Sequence, residues 1–195
     1  MKAITNYFQK TTCENVQQRE KREKLYEYYP REFIGIDYQA LYNEVKYYLR
    51  QNNSRKTCVL VDEDDLSKIR KIYNTLNIGF FTPIIQHIKE KLEEKFNRKI
   101  GYGLVQYYEN GESNISWHND KEAINSFVLS VSFGSIRNFN MRDINTKKLV
   151  DKIALIHGDV FYMKDGFQTT YEHCIPIEKN VNYPRISLTF REFEN

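Results

Sequence analysis

The sequence predicts an α+β domain in which helices come first and short antiparallel strands follow, closing into a jelly roll or a related two-sheet barrel. Three observations predict it. From Phe33 to Asn97 apolar residues recur at helical spacing; after Arg98 they gather into short runs of strand character; and turn signals separate those runs. At 195 residues the chain suits one catalytic module.

Residues 1–29 read as a tail and residues 30–195 as the domain. Residues 9–29 are polar and charged, with Gln17-Gln18-Arg19-Glu20-Lys21-Arg22-Glu23-Lys24, and offer no apolar stripe to pack on a core, so they suit a tether or a loosely docked helix. Leu41, Val45 and Leu49 mark a helix within Tyr38 to Arg50. Ile84, Ile85, Ile88, Leu92 and Phe96 mark another within Pro83 to Asn97, with Pro83 in its first turn. Strands are expected at Tyr102 to Tyr108, Phe127 to Phe133, Arg137 to Met141, Ile153 to Ile156, Asp159 to Met163 and Arg185 to Phe190. Glu109-Asn110-Gly111, His157-Gly158-Asp159 and Lys164-Asp165-Gly166 are the turns between them.

Composition narrows the class. Hydrophobic residues at 41% and charged residues at 28% describe a soluble globular chain, with 15 tyrosines and 12 phenylalanines available to line a core or stack on bases. The net charge of +3 hints only weakly at a polyanionic partner. Cys13, Cys58 and Cys174 are odd in number and lack metal-type spacing, which points away from a disulfide framework and a zinc site and toward a reducing, intracellular setting. The first residues carry no apolar signal core, and no stretch approaches the roughly 18 apolar residues of a membrane span. Neither secretion nor membrane insertion is expected, and a monomer is.

Chemistry concentrates in His118-Asn119-Asp120, His173 and Arg185. In extended chain, residues i and i+2 face the same side, so His118 and Asp120 can share a pocket, and His173 begins another extended run. Two imidazoles and a carboxylate form the facial triad that holds Fe(II) and leaves three positions for a chelating cosubstrate and oxygen. A catalytic zinc accepts the same set. The arginine-bearing strand Pro184-Arg185-Ile186-Ser187-Leu188-Thr189-Phe190-Arg191 favours iron, because a forked, permanent cation suits the far carboxylate of 2-oxoglutarate. His87, on the polar side of a helix, and His157, before a Gly-Asp turn, are assigned structural roles.

These residues fall in blocks that resemble the AlkB-like Fe(II)/2-oxoglutarate dioxygenases, which demethylate alkylated nucleic acid bases. The blocks are Tyr107 to Gly111, Ile115 to Glu122, Leu129 to Gly134 with Arg137 and Phe139, His157 to Asp159, and Tyr171 through Arg191, in family order. Upstream, Ser54-Arg55-Lys56-Thr57 is similar to the family's Pro-Arg-Lys segment entering the nucleotide-recognition lid, with serine in place of proline. The resemblance implies a double-stranded β-helix (jelly roll) core with N-terminal helices packed on one sheet. It implies that His118, Asp120 and His173 ligate iron, that Arg185 and Tyr108 bind the distal carboxylate of 2-oxoglutarate, and that Arg191 sits near the proximal carboxylate and Asp120. O2 is then the second cosubstrate. Gln106 and Ser187 stand where the family usually has asparagine, and both keep hydrogen-bonding capacity.

By the same resemblance Glu122 contacts the damaged base, where a carboxylate selects cationic alkylated bases over neutral ones; the bland alternative is a solvated loop glutamate. A base must leave its stack to be reached, so stacking surfaces are expected among Trp117, Tyr73, Phe80 and Phe81, each of which also suits a core. Met1-Lys2-Ala3-Ile4-Thr5-Asn6-Tyr7-Phe8 resembles a sliding-clamp-binding peptide with Ile4, Tyr7 and Phe8 as the plug, or else a terminus docked on its own domain. The resulting expectation is repair of alkylated DNA, single- or double-stranded, in the nucleus if the source is eukaryotic. RNA or a protein side chain remains an alternative substrate, and a nucleic-acid-binding protein without turnover remains an alternative class.

Overall fold

The computed structural model describes residues 24–193. The clamp-peptide reading of Ile4, Tyr7 and Phe8, and most of the tail, lie outside the described residues. Among the described residues the strands are β1 (Tyr26–Tyr29), β2 (Arg50–Asn52), β3 (Arg55–Val61), β4 (Ile78–Phe80), β5 (Tyr102–Tyr108), β6 (Ile115–His118), β7 (Val128–Gly134), β8 (Arg137–Asp143), β9 (Leu149–Leu155), β10 (Val160–Met163), β11 (Tyr171–Ile175) and β12 (Arg185–Arg191). The helices are α1 (Tyr38–Val45), α2 (Leu66–Ile72), α3 (Pro83–Phe96) and the single turn α4 (Phe167–Thr170). None of them is long and apolar enough to cross a membrane.

The strands form two sheets. The larger runs β1-β10-β7-β12-β5-β3-β2, with β4 parallel to β3, and the smaller runs β6-β11-β8-β9. Helices α1 and α3 cover the outer face of the larger sheet. Asp37 caps α1 by accepting from the Ala40 amide at 2.7 Å, Pro83 opens α3, and Asn97 ends it in the left-handed conformation at φ 49°. Leu41, Ile85 and Leu92 from the helices meet Val105, Leu188 and Phe190 from the sheet in one core. The opposite face of the same strands looks at the smaller sheet, across a second cluster that includes Phe139, Met141, Phe161 and Ile175. Being covered on both faces, β5 and β12 are buried along their whole length. A two-sheet jelly roll with helices on one sheet is the architecture expected from the sequence.

Some boundaries differ. Residues 26–29 belong to the domain and not to a tail: β1 pairs with β10 from Tyr26↔Met163 to Tyr29↔Val160, and the Tyr26 ring packs on Phe161 at 5.4 Å. Its charged neighbours hide a strand whose stability comes from its partner strand. Helix α1 stops at Val45 rather than Arg50, because the chain turns there, Tyr48 N–H donating to Val45 O at 2.9 Å, and enters β2. Strand β9 begins at Leu149 instead of Ile153, and α2 is an added element.

The His157-Gly158-Asp159 turn fastens residues 28–36 to the sheet. Asp159 accepts from the Tyr28 hydroxyl at 2.6 Å and from the Arg31 amide at 3.0 Å, and Phe33 N–H donates to Gly158 O at 2.9 Å. Gly134 N–H donates to His157 Nδ1 at 3.2 Å, so Nε2 carries the proton and donates to Ile36 O at 2.9 Å. His157 is therefore structural, as expected, and His87 is exposed on α3. Gly158 has φ +85°, and a Cβ there would lie 2.5 Å from the Ile34 nitrogen. Gly158→Ala is expected to lower the melting temperature by about 5 °C or more, from strain plus displacement of the strap. An unchanged thermal melt would contradict this role.

Candidate metal centre and cosubstrate pocket

His118 ends β6, Asp120 follows two residues later, and His173 lies in mid-β11, opposite His118 in the ladder. Their ligand atoms all lie within 4.8 Å of one another, with His118 Nε2 3.6 Å from Asp120 Oδ1. The His118 and His173 rings are 4.2 Å apart between centroids. His118 Nδ1 sits 2.8 Å from Ser116 O, an arrangement that holds the proton on Nδ1 and leaves the Nε2 lone pair for a metal. His173 is stacked on Phe139, and burial, outweighing the attraction of Asp120, lowers its pKa to about 3. Its imidazole is neutral and ready to ligate.

Burial alone would raise the pKa of the Asp120 carboxyl. The Arg191 guanidinium, at 2.8 Å, reverses this together with the two imidazoles and holds it at about 2. Burial works against the charge of Arg191 in turn, and Asp120 overcomes that and raises its pKa. Gln168 fixes the aspartate from behind: its side-chain oxygen accepts the Asp120 amide at 2.9 Å, and its backbone carbonyl accepts from Asn119 Nδ2 at 2.9 Å. Gln168 is in α4, and no sequence pattern ties it to Asp120.

Arg185, Ser187, Thr189 and Arg191 alternate along β12 and line the pocket, while Ile186, Leu188 and Phe190 enter the helix-side core. The Arg185 side chain is 1% exposed. Its Nη2 donates to Ser132 Oγ at 2.8 Å and to Ser187 Oγ at 3.3 Å, whereas Nε and Nη1 have no hydrogen-bond partner among the described residues. Burial lowers its pKa to about 10, so it stays a cation near neutral pH. A buried guanidinium with two idle donors is a costly arrangement that an anionic ligand relieves. The far carboxylate of 2-oxoglutarate would match these two donors, and the two imidazoles and carboxylate fit Fe(II). Tyr108, its ring 5.2 Å from the Arg185 guanidinium, and Gln106 complete this end of the pocket.

The structure sorts the remaining candidates. Glu122, in a single 3-10 turn after Asp120, accepts a hydrogen bond from the Tyr73 hydroxyl and lies 3.9 Å from Arg191. Tyr73 follows α2 and meets the buried Tyr102 edge-on. Arg55 reaches Gln106, donating from Nε at 2.9 Å. Three aromatics are not brought to the triad. Trp117 alternates with His118 on β6, which turns it to the outer face of the smaller sheet, under the Arg142 guanidinium at 4.4 Å. Phe81 packs in the helix-side core with Lys89 over its ring at 5.3 Å. Phe80 is 41% exposed at the end of β4, beyond β3.

Comparison with known proteins agrees with this chemistry. The family model described as the 2OG-Fe(II) oxygenase superfamily matches residues 5–191. "DNA oxidative demethylase ALKBH2" of Bos taurus is 28% identical over 128 residues, covering 60% of this chain and 46% of that protein. "Alpha-ketoglutarate-dependent dioxygenase alkB homolog 3" of Homo sapiens is 31% identical over 121 residues, covering 56% of this chain and 42% of the relative. The chain thus spans about half the length of such curated relatives. The solved structure described as "The structure of OsALKBH1" superposes with a TM-score of 0.66 over 88% of this chain and 99% of that one, at 14% identity, which speaks for the fold. Triad, idle arginine and family match converge: the chain belongs to the 2OG-Fe(II) oxygenase superfamily, and the curated relatives it is similar to are AlkB homologues.

Proposed function

We propose that the protein oxidatively demethylates N-alkylated bases in DNA, such as 1-methyladenine and 3-methylcytosine, using Fe(II), 2-oxoglutarate and O2. The observation that carries this reading is the placement of Glu122, a carboxylate two residues from the metal-facing Asp120 and held by the Tyr73 hydroxyl. Alkylation at those ring nitrogens makes the base cationic, and a fixed carboxylate beside the reacting methyl group favours it over a neutral base. The relatives named DNA oxidative demethylase support the same substrate class.

The residues divide the work. His118, Asp120 and His173 would hold the iron, and Arg185 with Tyr108 and Gln106 would hold 2-oxoglutarate by its far carboxylate. Arg191 keeps Asp120 ionised and turned toward the two imidazoles. Phe139, Met163 and Ile175 floor the pocket with apolar surface and limit water there. When bound, iron and 2-oxoglutarate couple decarboxylation of the keto acid to succinate and CO2 with oxidation of the base's methyl group, which leaves as formaldehyde. Tyr73 and Glu122 would orient a base already out of its stack.

Mass spectrometry of a DNA oligonucleotide carrying 1-methyladenine, incubated with protein, Fe(II), 2-oxoglutarate and air, tests this. The expected result is loss of one methyl group that needs every component and vanishes with Asp120→Ala. Turnover of the matching RNA oligonucleotide alone, or succinate formation with both oligonucleotides untouched, would move the substrate to RNA or protein.

A further inference from the structure

The resemblance of the Ser54 to Thr57 segment assigns Arg55 to a nucleotide lid, yet its side chain joins the opposite end of the chemistry. Arg55 Nε donates to Gln106 Oε1 at 2.9 Å, and the Tyr108 hydroxyl donates to the same oxygen at 3.2 Å. We infer that Arg55 is a positioning residue for 2-oxoglutarate, locking the Gln106 amide so that its NH2 is the group offered to the pocket lined by Arg185. The inference rests on the reading of that pocket as the cosubstrate site.

The physical argument is one of donors and acceptors. An amide side chain can turn over and exchange its oxygen for its nitrogen, so a glutamine beside a carboxylate presents either a donor or a repelling acceptor. A guanidinium has no acceptor, so next to Arg55 only the oxygen of Gln106 is tolerated. Gln106 is 8% exposed and lines the pocket, and no hydrogen bond occupies its Nε2 among the described residues. Arg55 itself is held in place. Ser54 Oγ donates to Asn114 O at 2.9 Å and accepts from Asn114 N–H at 3.0 Å, and Lys56 faces Glu109 at 3.8 Å. The hairpin carrying Arg55 is thus fastened to the loop that leads into β6. Arg55 is also, with Arg185 and Arg137, one of three guanidinium groups whose positive field reaches the Tyr108 hydroxyl.

The test is calorimetric titration of the full chain, loaded with Mn(II), with 2-oxoglutarate and with 2-oxobutyrate, which lacks the distal carboxylate. Arg55→Ala should weaken 2-oxoglutarate about tenfold, the loss of one hydrogen bond to a charged group, and leave 2-oxobutyrate unchanged. Arg55→Lys, still donor-only, should restore affinity to within about threefold. In a Gln106→Leu background, Arg55→Ala should add little, because its effect passes through the amide. Equal losses for both keto acids, additive effects of the two substitutions, or unchanged 2-oxoglutarate affinity in Arg55→Ala would each overturn the positioning role alone. A wild-type protein that binds the two keto acids alike would overturn it together with the cosubstrate reading beneath it.

Discussion

Asp120→Ala is expected to eliminate the proposed demethylation and to lower iron affinity by more than about a hundredfold, the upper range reached when only a partner of a metal ligand is removed. The triad supplies one carboxylate, and the described residues offer no other grouping of three or more metal-ligating side chains. Glu122 does not join this grouping: its Oε1 accepts from the Tyr73 hydroxyl, and its carboxylate lies outside the cluster of ligand atoms. The substitution also strips Arg191 of its partner at 2.8 Å, leaving Thr189 and the more distant Glu122. A buried guanidinium left in that state costs about 3 kcal/mol, so the metal-free variant should melt some 6–12 °C lower. Asp120→Asn separates the two effects: its amide oxygen still accepts from Arg191 and recovers most of the melting temperature, but supplies no charge to the metal. Metal content after anaerobic iron loading, formaldehyde release and a thermal melt read all three quantities. An Asp120→Ala protein that keeps stoichiometric iron and releases formaldehyde would remove Asp120 from the centre.

The two strands that line the Arg185 end of the pocket were the most legible. β5 and β12 are buried on both faces, so they read as unbroken strand-like runs, and the period of two along β12 sends Arg185, Ser187 and Arg191 one way and Leu188 the other. The same period applied to β6 excludes Trp117 from the face that carries His118, so the outward stacking of that ring on Arg142 was available from the spacing once a strand was assigned there. Strands β1, β2 and β4 are 3 or 4 residues long and lie at or near sheet edges, where pairing and not local propensity decides the conformation. The contacts of Gln168 with Asp120, and of Arg55 with Gln106, join residues 48 and 51 positions apart. No periodicity reports such pairs; they exist because two sheets and a hairpin close on one cavity.

Arg185→Met should act with opposite signs on binding and on stability. Among the described residues the Arg185 guanidinium is buried with Nε and Nη1 unmet, and the groups it does meet, the Ser132, Ser187 and Tyr108 hydroxyls, are all neutral. Methionine fills a similar volume without that burden, and exchanging a buried charge for a packed apolar side chain is often worth about 1–4 kcal/mol. The ligand-free variant should therefore melt higher, by some 2–8 °C. The same exchange leaves the far carboxylate of 2-oxoglutarate without its forked cation, which should weaken cosubstrate binding at least about a hundredfold. Thermal melts of Mn(II)-loaded wild type and variant, with and without 2-oxoglutarate, measure both effects: wild type should gain stability on adding the keto acid, and Arg185→Met should start higher and gain nothing. A variant that melts lower without ligand would mean that the guanidinium is satisfied by groups other than a cosubstrate. One that is still stabilised by 2-oxoglutarate would place the carboxylate elsewhere in the pocket. Both expected results together would mark the idle donors as a stability defect kept for binding, one the fold can tolerate because β12 is clamped between β5 and β7 along most of its length.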